Sequence, residues 1–340
     1  MIRSLIYDYS SYKNSEKPYA REPVIALMPN GTLVCALVTG GPTEPHNDNF
    51  VTYHKSYDGG KTWTEPQILF SHAERGVWAT EIYMGYEYPM MVVSTYNGDC
   101  PYKELQTFVS YTYDNGESWT KPQSVAPYAN GVSMRKGIKM SNGETLFPIY
   151  FTSVIDGFGE KYKKMGDSDF WKGTRHSSGV VISSDGGKSY TPYGNFIGKK
   201  HLWEPNCVEI ENGHIIMFMR DSFSPYVNKA ESFDYGKTWK HSGVTEIPNA
   251  DTKLTLFKIK NTLFLVINAN PSLEYSGRTD LQIMRSNDGI AWEFVTYVDE
   301  KCGHYFYPHV AVDEKNEKVY LAYENGCKQL INCYDFCELL

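Results

Sequence analysis

A polar segment that ends in an aromatic residue returns five times between the short apolar runs of this chain. Its fullest form is Ser56–Trp63, which reads SYDGGKTW, and the other four versions end at Trp119, Tyr190, Trp239 and Trp292. The segment predicts a tight hairpin turn, because its aspartate can accept hydrogen bonds from turn amides and its glycine can adopt a positive φ angle. We expect the aromatic side chain to anchor the turn against its own sheet.

The spacing of these segments predicts the architecture. Their aspartates, Asp58, Asp114, Asp185, Asp234 and Asp288, lie between 49 and 71 residues apart. That period is about the length of a four-stranded antiparallel sheet with its loops, so each copy is expected to mark one blade of a propeller. A chain of 340 residues holds about six such blades, one of them without a recognisable turn. The sequence therefore predicts an all-β protein, a six-bladed β-propeller, in which residues 1–340 form one domain.

Composition supports this prediction and narrows the possible partners. The chain is 41% hydrophobic and 15% aromatic, which favours strands, and its net charge of −7 argues against a nucleic-acid partner. No apolar stretch approaches the ~18 residues of a membrane span, and the first residues become polar too quickly for a signal peptide, so we expect a soluble, cytoplasmic protein. The seven cysteines are odd in number and lack metal-type pairs. We therefore expect reduced thiols, with neither a zinc site nor a disulfide framework.

The repeated segment matches the Asp-box, S-x-D-x-G-x-x-W, and through its five copies the chain resembles the sialidase (neuraminidase) superfamily over essentially its whole length. The resemblance implies a propeller whose Asp-boxes do no chemistry, since they also occur in sugar-binding propellers without activity. It further implies a retaining exo-glycosidase that releases terminal sialic acid, or a related 2-keto acid sugar, and that needs no cofactor. Other residues must therefore carry the function.

Three arginines stand in contexts that resemble the carboxylate-binding triad of this family. Arg21 is followed by Glu22 and a proline where the family has Arg-Ile-Pro, so a glutamate replaces the isoleucine. Arg220 lies 16 residues after Glu204, and Arg278 precedes the last Asp-box. Guanidinium groups suit this role because they offer a carboxylate two parallel donors with a permanent charge. The arginines that compete for these roles are Arg135, Arg175 and Arg285.

A tyrosine is the expected nucleophile, because an aspartate or glutamate would meet the negative charge of the sugar's own carboxylate at the anomeric carbon. The candidate segment is 304–310, in which Tyr305, Tyr307 and His309 share one face if the segment forms a strand. Periodicity alone leaves both tyrosines open. The resemblance favours Tyr307, which lies 17 residues before Glu324 in a Tyr-Glu strand similar to that of the family.

Two carboxylates complete the mechanism that the resemblance implies. Glu204 would be the base that takes the phenol proton, since a tyrosine with an ordinary pKa of about 10 attacks poorly at neutral pH. The acid/base would lie on the loop 40–50, where Asp48 stands eight residues before the first Asp-box. Glu44 and His46 of the same loop are the alternatives.

Three other functions remain open on the same propeller. A lyase acting on uronic-acid polysaccharides would use a histidine to abstract a proton beside the carboxylate. A glycosidase for neutral sugars would leave the three arginines without a purpose, and a lectin-like propeller would keep them without an acid/base. The expected partner is thus an acidic sugar, and the oligomeric state stays open. The histidines available to the lyase hypothesis are His46, His176, His201, His304 and His309.

Overall fold

The computed structural model describes residues 1–12, 19–97, 105–125, 131–153, 175–196 and 202–340, without the side chains of residues 11, 151–153, 175–177 and 195–196. Within these ranges nearly all regular structure is β-strand, arranged in six antiparallel sheets around one axis. The predicted six-bladed propeller is confirmed. No helix in the described part of the chain is both long and apolar enough to cross a membrane.

The first strand of the chain, β1 (Ile2–Asp8), precedes blades 1 to 3. Blade 1 consists of β2 (Ala20–Leu27), β3 (Leu33–Thr39), β4 (Phe50–Ser56) and β5 (Gln67–Phe70). Blade 2 consists of β6 (Gly76–Tyr83), β7 (Met90–Tyr96), β8 (Gln106–Tyr111) and β9 (Gln123–Ser124). Blade 3 consists of β10 (Val132–Met134), β11 (Ile138–Lys139), β12 (Thr145–Ser153), β13 (Arg175–Ser183) and β14 (Thr191–Phe196), with β10 and β11 both paired to β12.

Blades 4 and 5 follow in the same order, and blade 6 closes the ring. Blade 4 consists of β15 (Leu202–Glu211), β16 (His214–Asp221), β17 (Tyr226–Ser232) and β18 (Lys240–Pro248). Blade 5 consists of β19 (Thr255–Ile259), β20 (Thr262–Asn268), β21 (Leu281–Ser286) and β22 (Glu293–Tyr297). Blade 6 consists of β23 (Phe306–Asp313), β24 (Lys318–Asn325) and β25 (Lys328–Asp335), with β1 as its outer strand. The innermost strand of each blade contacts those of its neighbours and thus borders the axis.

The five Asp-boxes are the turns between the third and fourth strands of blades 1 to 5. In blade 1, Asp58 accepts hydrogen bonds at 3.0 Å from the backbone amides of Lys61 and Thr62, and Gly59 adopts a φ of +74°. In blade 6 the third strand is β25 and the fourth is β1, so the two ends of the chain meet where the other blades have a turn. This is why six blades carry five Asp-boxes.

The core is divided among the blade interfaces, with one hydrophobic cluster between each neighbouring pair in the described structure. The aromatic residue of each Asp-box packs into such a cluster, so the expectation that it anchors only its own sheet is incomplete. Trp119 of blade 2, for example, packs beside Tyr53 of blade 1, whose hydroxyl donates to the Gly116 carbonyl at 3.0 Å. Between blades 5 and 6, the short helix α1 (Phe336–Leu339) contributes Phe336 and Leu339 instead.

Three inner strands share an irregularity close to their first residues. Glu22, Glu204 and Tyr307 each precede a proline and have φ angles of +53°, +44° and +54°, and strand pairing is interrupted by a bulge at each position. Proline is tolerated here because an inner strand is a sheet edge and needs no donor toward the axis. Left-handed residues of this size are uncommon and persist where the surroundings hold them. The bulges redirect these three side chains into a cavity at one end of the axis.

Candidate active site

A cavity of about 280 Å³ lies at the end of the axis where the inner strands begin. The strand pairing places the loop 40–49, the end of β16 and the loop before β21 at this same end, whereas the first Asp-box follows the opposite end of β4. The ionisable groups in the described lining are three arginines, three glutamates and four tyrosines. They are Arg21, Arg220, Arg278, Glu22, Glu44, Glu204, Tyr19, Tyr150, Tyr275 and Tyr307.

Two of the three predicted arginines are held by carboxylates and by a tyrosine. One terminal nitrogen of Arg21 lies 3.7 Å from the buried Glu324, and the other donates to the Tyr275 hydroxyl at 2.6 Å. Arg220 donates from Nε to Asp251 at 2.5 Å and from Nη1 to Glu204 at 3.2 Å. These contacts fix the two guanidinium planes before any ligand enters.

Arg278 differs from the other two because its guanidinium has neither a hydrogen-bond nor an ion-pair partner among the described residues. It is 8% exposed, and its Nε is buried without an acceptor. Aromatic rings surround it instead, with centroids 4.9 Å (Tyr275), 5.5 Å (Phe306) and 5.3 Å (Tyr307) from its guanidinium carbon. Because a buried charge is costly unless it is paired, an anion that entered the cavity would be stabilised by this guanidinium.

Tyr307 lies in the cavity beside the arginines and is 7% exposed. Burial raises the pKa of its phenol, and the charges of Arg278 and Arg220 only partly offset this effect. The phenol is therefore neutral at neutral pH, and a base is needed if it is to attack. The buried carboxylate of Glu204 lines the same cavity and is close enough for its charge to raise the pKa of Tyr307 further.

The alternative tyrosine, Tyr305, lies outside the cavity lining. It packs against the guanidinium of Arg3 and the ring of Tyr323, beside the hydrophobic cluster between blades 5 and 6. The bulge at Tyr307 breaks the alternation that would have placed the two tyrosines and His309 on one face. His309 instead lines a second cavity of about 500 Å³ further along the axis, 3.5 Å from Glu81, and burial lowers its pKa to about 4.

The loop 40–50 brings Glu44 into the site instead of Asp48. The Asp48 side chain is 77% exposed, lies 3.4 Å from His46, and is not part of the lining. Asn49 accounts for this arrangement, because its amide donates to the Gly40 carbonyl at 2.5 Å and its oxygen accepts from the His46 amide at 2.8 Å, which closes the loop and leaves Asp48 outside. Glu44 lines the cavity and accepts a hydrogen bond from the Tyr19 hydroxyl at 3.1 Å. Burial, followed by the charge of Glu22, raises the pKa of Glu44 to about 7.

The sequence reasoning assigned no role to Glu22, Tyr275 or Lys253. A signal for the first was present, because the Glu-Pro, Glu-Pro and Tyr-Pro pairs at 22, 204 and 307 recur on three inner strands. Of the competing arginines, Arg135 is buried against Glu22 at 3.2 Å, and Arg285 pairs with Glu293 on blade 5, away from the cavity. The side chains of Arg175 and His176, and the whole of His201, lie outside the described residues.

Comparisons with known proteins agree with this fold. A sialidase of Bacteroides fragilis is 25% identical over 279 residues, which span 70% of this chain and 47% of that protein, so the chain covers about half of its relative's length. Among solved structures, the Hadza microbial sialidase Hz136 has a TM-score of 0.77 at 16% identity, over 100% of this chain and 69% of that one. The Trypanosoma rangeli sialidase in complex with the inhibitor DANA has a TM-score of 0.67 at 18% identity, over 94% and 55%.

The family comparison covers more than half of the chain. Residues 90–321 match the BNR repeat-like domain. This range includes four of the five Asp-boxes and six of the ten ionisable residues that line the cavity. The chain therefore belongs to the BNR repeat-like family, within the sialidase superfamily of β-propellers.

Proposed function

We propose that this protein is a retaining exo-glycosidase of the sialidase type, which removes a terminal sialic acid or a related 2-keto acid sugar. The observation that carries the proposal is Arg278, a buried guanidinium without an anionic partner among the described residues, which faces the ring of Tyr307 at 5.3 Å. An anionic sugar bound there would bring its anomeric carbon close to a phenol. The sialidase relatives support the same substrate class.

In this proposal the three arginines bind the substrate carboxylate, which sits directly on the anomeric carbon. Arg21 and Arg220 are already oriented by Glu324 and Asp251, so they lose little freedom on binding. Tyr307 then attacks the anomeric carbon while Glu204 takes its proton, and a covalent glycosyl-tyrosine forms as the bond to the leaving oxygen breaks. A neutral nucleophile avoids repulsion by the carboxylate of the substrate.

The acid/base of this proposal is Glu44, which replaces Asp48 of the sequence prediction. A general acid must carry its proton at the working pH, and a carboxyl with a pKa of about 7 is half protonated at pH 7, whereas an ordinary glutamate is almost fully ionised there. Glu44 would protonate the leaving oxygen in the first step. As a carboxylate it would then take a proton from the water that releases the sugar from Tyr307, with retention of configuration.

The test is the release of a fluorescent aglycone from an α-sialoside, assayed beside a β-uronide and an α-arabinoside. We expect turnover of the sialoside alone. Arg278→Ala should reduce kcat/KM by at least about 100-fold, because charge-assisted hydrogen bonds to the carboxylate are lost. Arg278→Lys keeps the charge without the paired donors and should recover only part of this loss.

A matched control keeps the result interpretable. Arg285→Ala removes a guanidinium that pairs with Glu293 on blade 5 and should leave kcat/KM unchanged. Release of the aglycone from the uronide without activity on the sialoside would replace the proposal with a uronide hydrolase; a lyase would break the bond at the 4-oxygen of a uronic-acid polysaccharide and leave the aglycone on C1. If none of the three substrates is cleaved but the sialoside still binds and this binding requires Arg278, the protein would be a sugar-binding propeller without activity.

A further inference from the structure

Glu22 has no part in the proposed mechanism, yet it lines the cavity. It replaces the isoleucine of the Arg-Ile-Pro context, and its side chain is 8% exposed. Its left-handed backbone is held by its own amide, which donates to the buried Glu324 at 2.8 Å. A charged side chain in this position needs a reason, because burial of a carboxylate is costly.

Two buried cations keep Glu22 ionised. Arg135 donates to Oε2 of Glu22 at 3.2 Å, and the ammonium of Lys253 lies 3.9 Å from the same oxygen. Both cations are almost fully buried, with side chains 4% and 3% exposed. Burial alone would raise the pKa of Glu22, but Arg135 and then Lys253 outweigh burial, and the pKa is lowered. Glu22 is thus a fixed negative charge on the wall of the cavity.

This fixed charge acts on Glu44, whose carboxyl group lines the same cavity. Apart from burial, Glu22 is the strongest influence on the proton of Glu44, ahead of Arg21, Tyr19 and Glu204. The carboxyl groups of Glu22, Glu44 and Glu204 line one small cavity and cannot all ionise without repulsion. Arg135 and Lys253 pair with Glu22, and Arg220 pairs with Glu204, so Glu44 is the member that retains its proton to the highest pH. The charged and titratable groups that face Glu44 are Tyr19, Arg21 and Glu22 before and on β2, Tyr96 on β7 and Glu204 on β15, with His46 and Asp48 on its own loop.

We infer that Glu22 is a positioning residue for the general acid: held as an anion by Arg135 and Lys253, it disfavours ionisation of Glu44 in the cavity that the two side chains share. This inference rests on the proposed function for its catalytic meaning. A protonated acid matters most when the leaving group is a sugar alkoxide, and least when it is a stabilised phenolate. An isoleucine at position 22 could not supply this charge.

The inference predicts a shift of the pH profile with a dependence on the leaving group. In Glu22→Gln, the alkaline limb of kcat/KM for an α-sialoside of lactose should move down by roughly one pH unit, which lowers the rate at pH 7 about fivefold. The aryl α-sialoside should lose less than twofold at the same pH. Asp48→Asn, a matched carboxyl-to-amide change on the loop that carries Glu44, should shift the pH profile of neither substrate. An unmoved limb, with equal losses on both substrates, would show that Glu22 is merely structural.

A second measurement is independent of turnover, so it separates this inference from the proposed function. The side-chain carboxyl ¹³C resonance of Glu44, assigned through Glu44→Gln, should titrate near pH 7 in the natural protein and lower in Glu22→Gln. If Glu22→Gln does not fold, Glu22→Gln/Arg135→Met removes the ion pair as a unit and should give the same downward shift. A Glu44 titration that is unchanged in the folded variant overturns the inference, whether or not the protein cleaves sialosides.

Discussion

The two ends of the propeller axis are built on opposite principles. At one end, the turns of five blades repeat a hydrogen bond from a hydroxyl group to an aspartate, as in Asp58 and Asp185, and their aromatic residues join neighbouring blades. At the other end the blades differ, and the cavity collects side chains that occur once each, among them Arg278, Tyr307 and Glu44. Repetition therefore marks the scaffold, and departure from it marks the site.

The two ends also differ in how their carboxyl groups are stabilised. The Asp-box carboxylates are exposed and satisfied by their own turns, so the pKa of Asp58 is lowered to about 2, mainly by the Thr62 hydroxyl and amide. In the cavity, Glu22 and Glu204 are buried and Glu44 is half-buried, and they depend on distant parts of the chain, since Glu22 meets Arg135 across 113 residues of sequence. Local hydrogen bonds make a robust turn, whereas non-local pairing allows each carboxyl group to have its own affinity for protons.

Tyr307→Phe is expected to show the difference between the two ends most strongly, because it should abolish activity and leave stability unchanged. Loss of the nucleophilic oxygen should lower kcat on an α-sialoside by at least about 10³-fold. The ring contacts with Arg278 and Phe306 remain, so the melting temperature should stay within about 2 °C of the natural protein. Tyr305→Phe is the matched control and should keep full activity. Normal turnover by Tyr307→Phe would show that Tyr307 is not the nucleophile and that the active site lies elsewhere.

The next effect concerns the loop 40–50 and distinguishes the structural assignment from that based on sequence. Glu44→Gln should reduce kcat/KM on a sialoside with a sugar leaving group by about 10²–10⁴-fold, because the proton donor is lost. Asp48→Asn should leave it unchanged, since that carboxylate is 77% exposed. Added azide should speed turnover of the aryl sialoside by Glu44→Gln, because it replaces the activated water. The reverse ranking of the two variants would restore Asp48 as the acid/base.

The smallest effect is expected at the opposite end. Asp58→Ala should lower the melting temperature by about 2–4 °C, because two amides and two hydroxyls lose their acceptor while water partly replaces it. The pKa of Asp58 is lower in the folded state, so its contribution is complete above pH 4 and is lost as the pH falls toward 2. The stability difference between Asp58→Ala and the natural protein should therefore shrink in acid, with kcat/KM at neutral pH unaffected. A catalytic defect would show that the two ends are coupled.

The fold could be predicted from the sequence because the Asp-box is a local motif. Asp58 binds amides within four residues, so its spacing alone reveals the turn, and five turns reveal the ring. Arg220 and Glu204 were also accessible, because they face each other on paired strands of one blade. Their roles in catalysis remain predictions.

The choices that sequence could not make depend on contacts between blades or on loop shape. Glu44 and Asp48 are four residues apart, and the Asn49 hydrogen bonds that place one inside and the other outside leave no periodic signal. The choice between Tyr305 and Tyr307 required the bulge, because regular alternation would put both on the same face. Lys253 and Arg135 reach Glu22 from blades 5 and 3, and no local pattern joins such distant positions.

The closure of blade 6 gives the ring one seam. In the other blades a covalent turn connects the third and fourth strands, but β25 and β1 are joined by non-covalent contacts. These are the backbone pairing from Ile2 and Cys333 to Asp8 and Lys328 and a hydrophobic cluster that contains Ile6 and Ile331. Separation of these strands breaks hydrogen bonds but is not opposed by a covalent turn. Mechanical or thermal opening should therefore start at this seam, and a short peptide that links residue 340 to residue 1 would make the molecule a continuous hoop whose unfolding rate is lower.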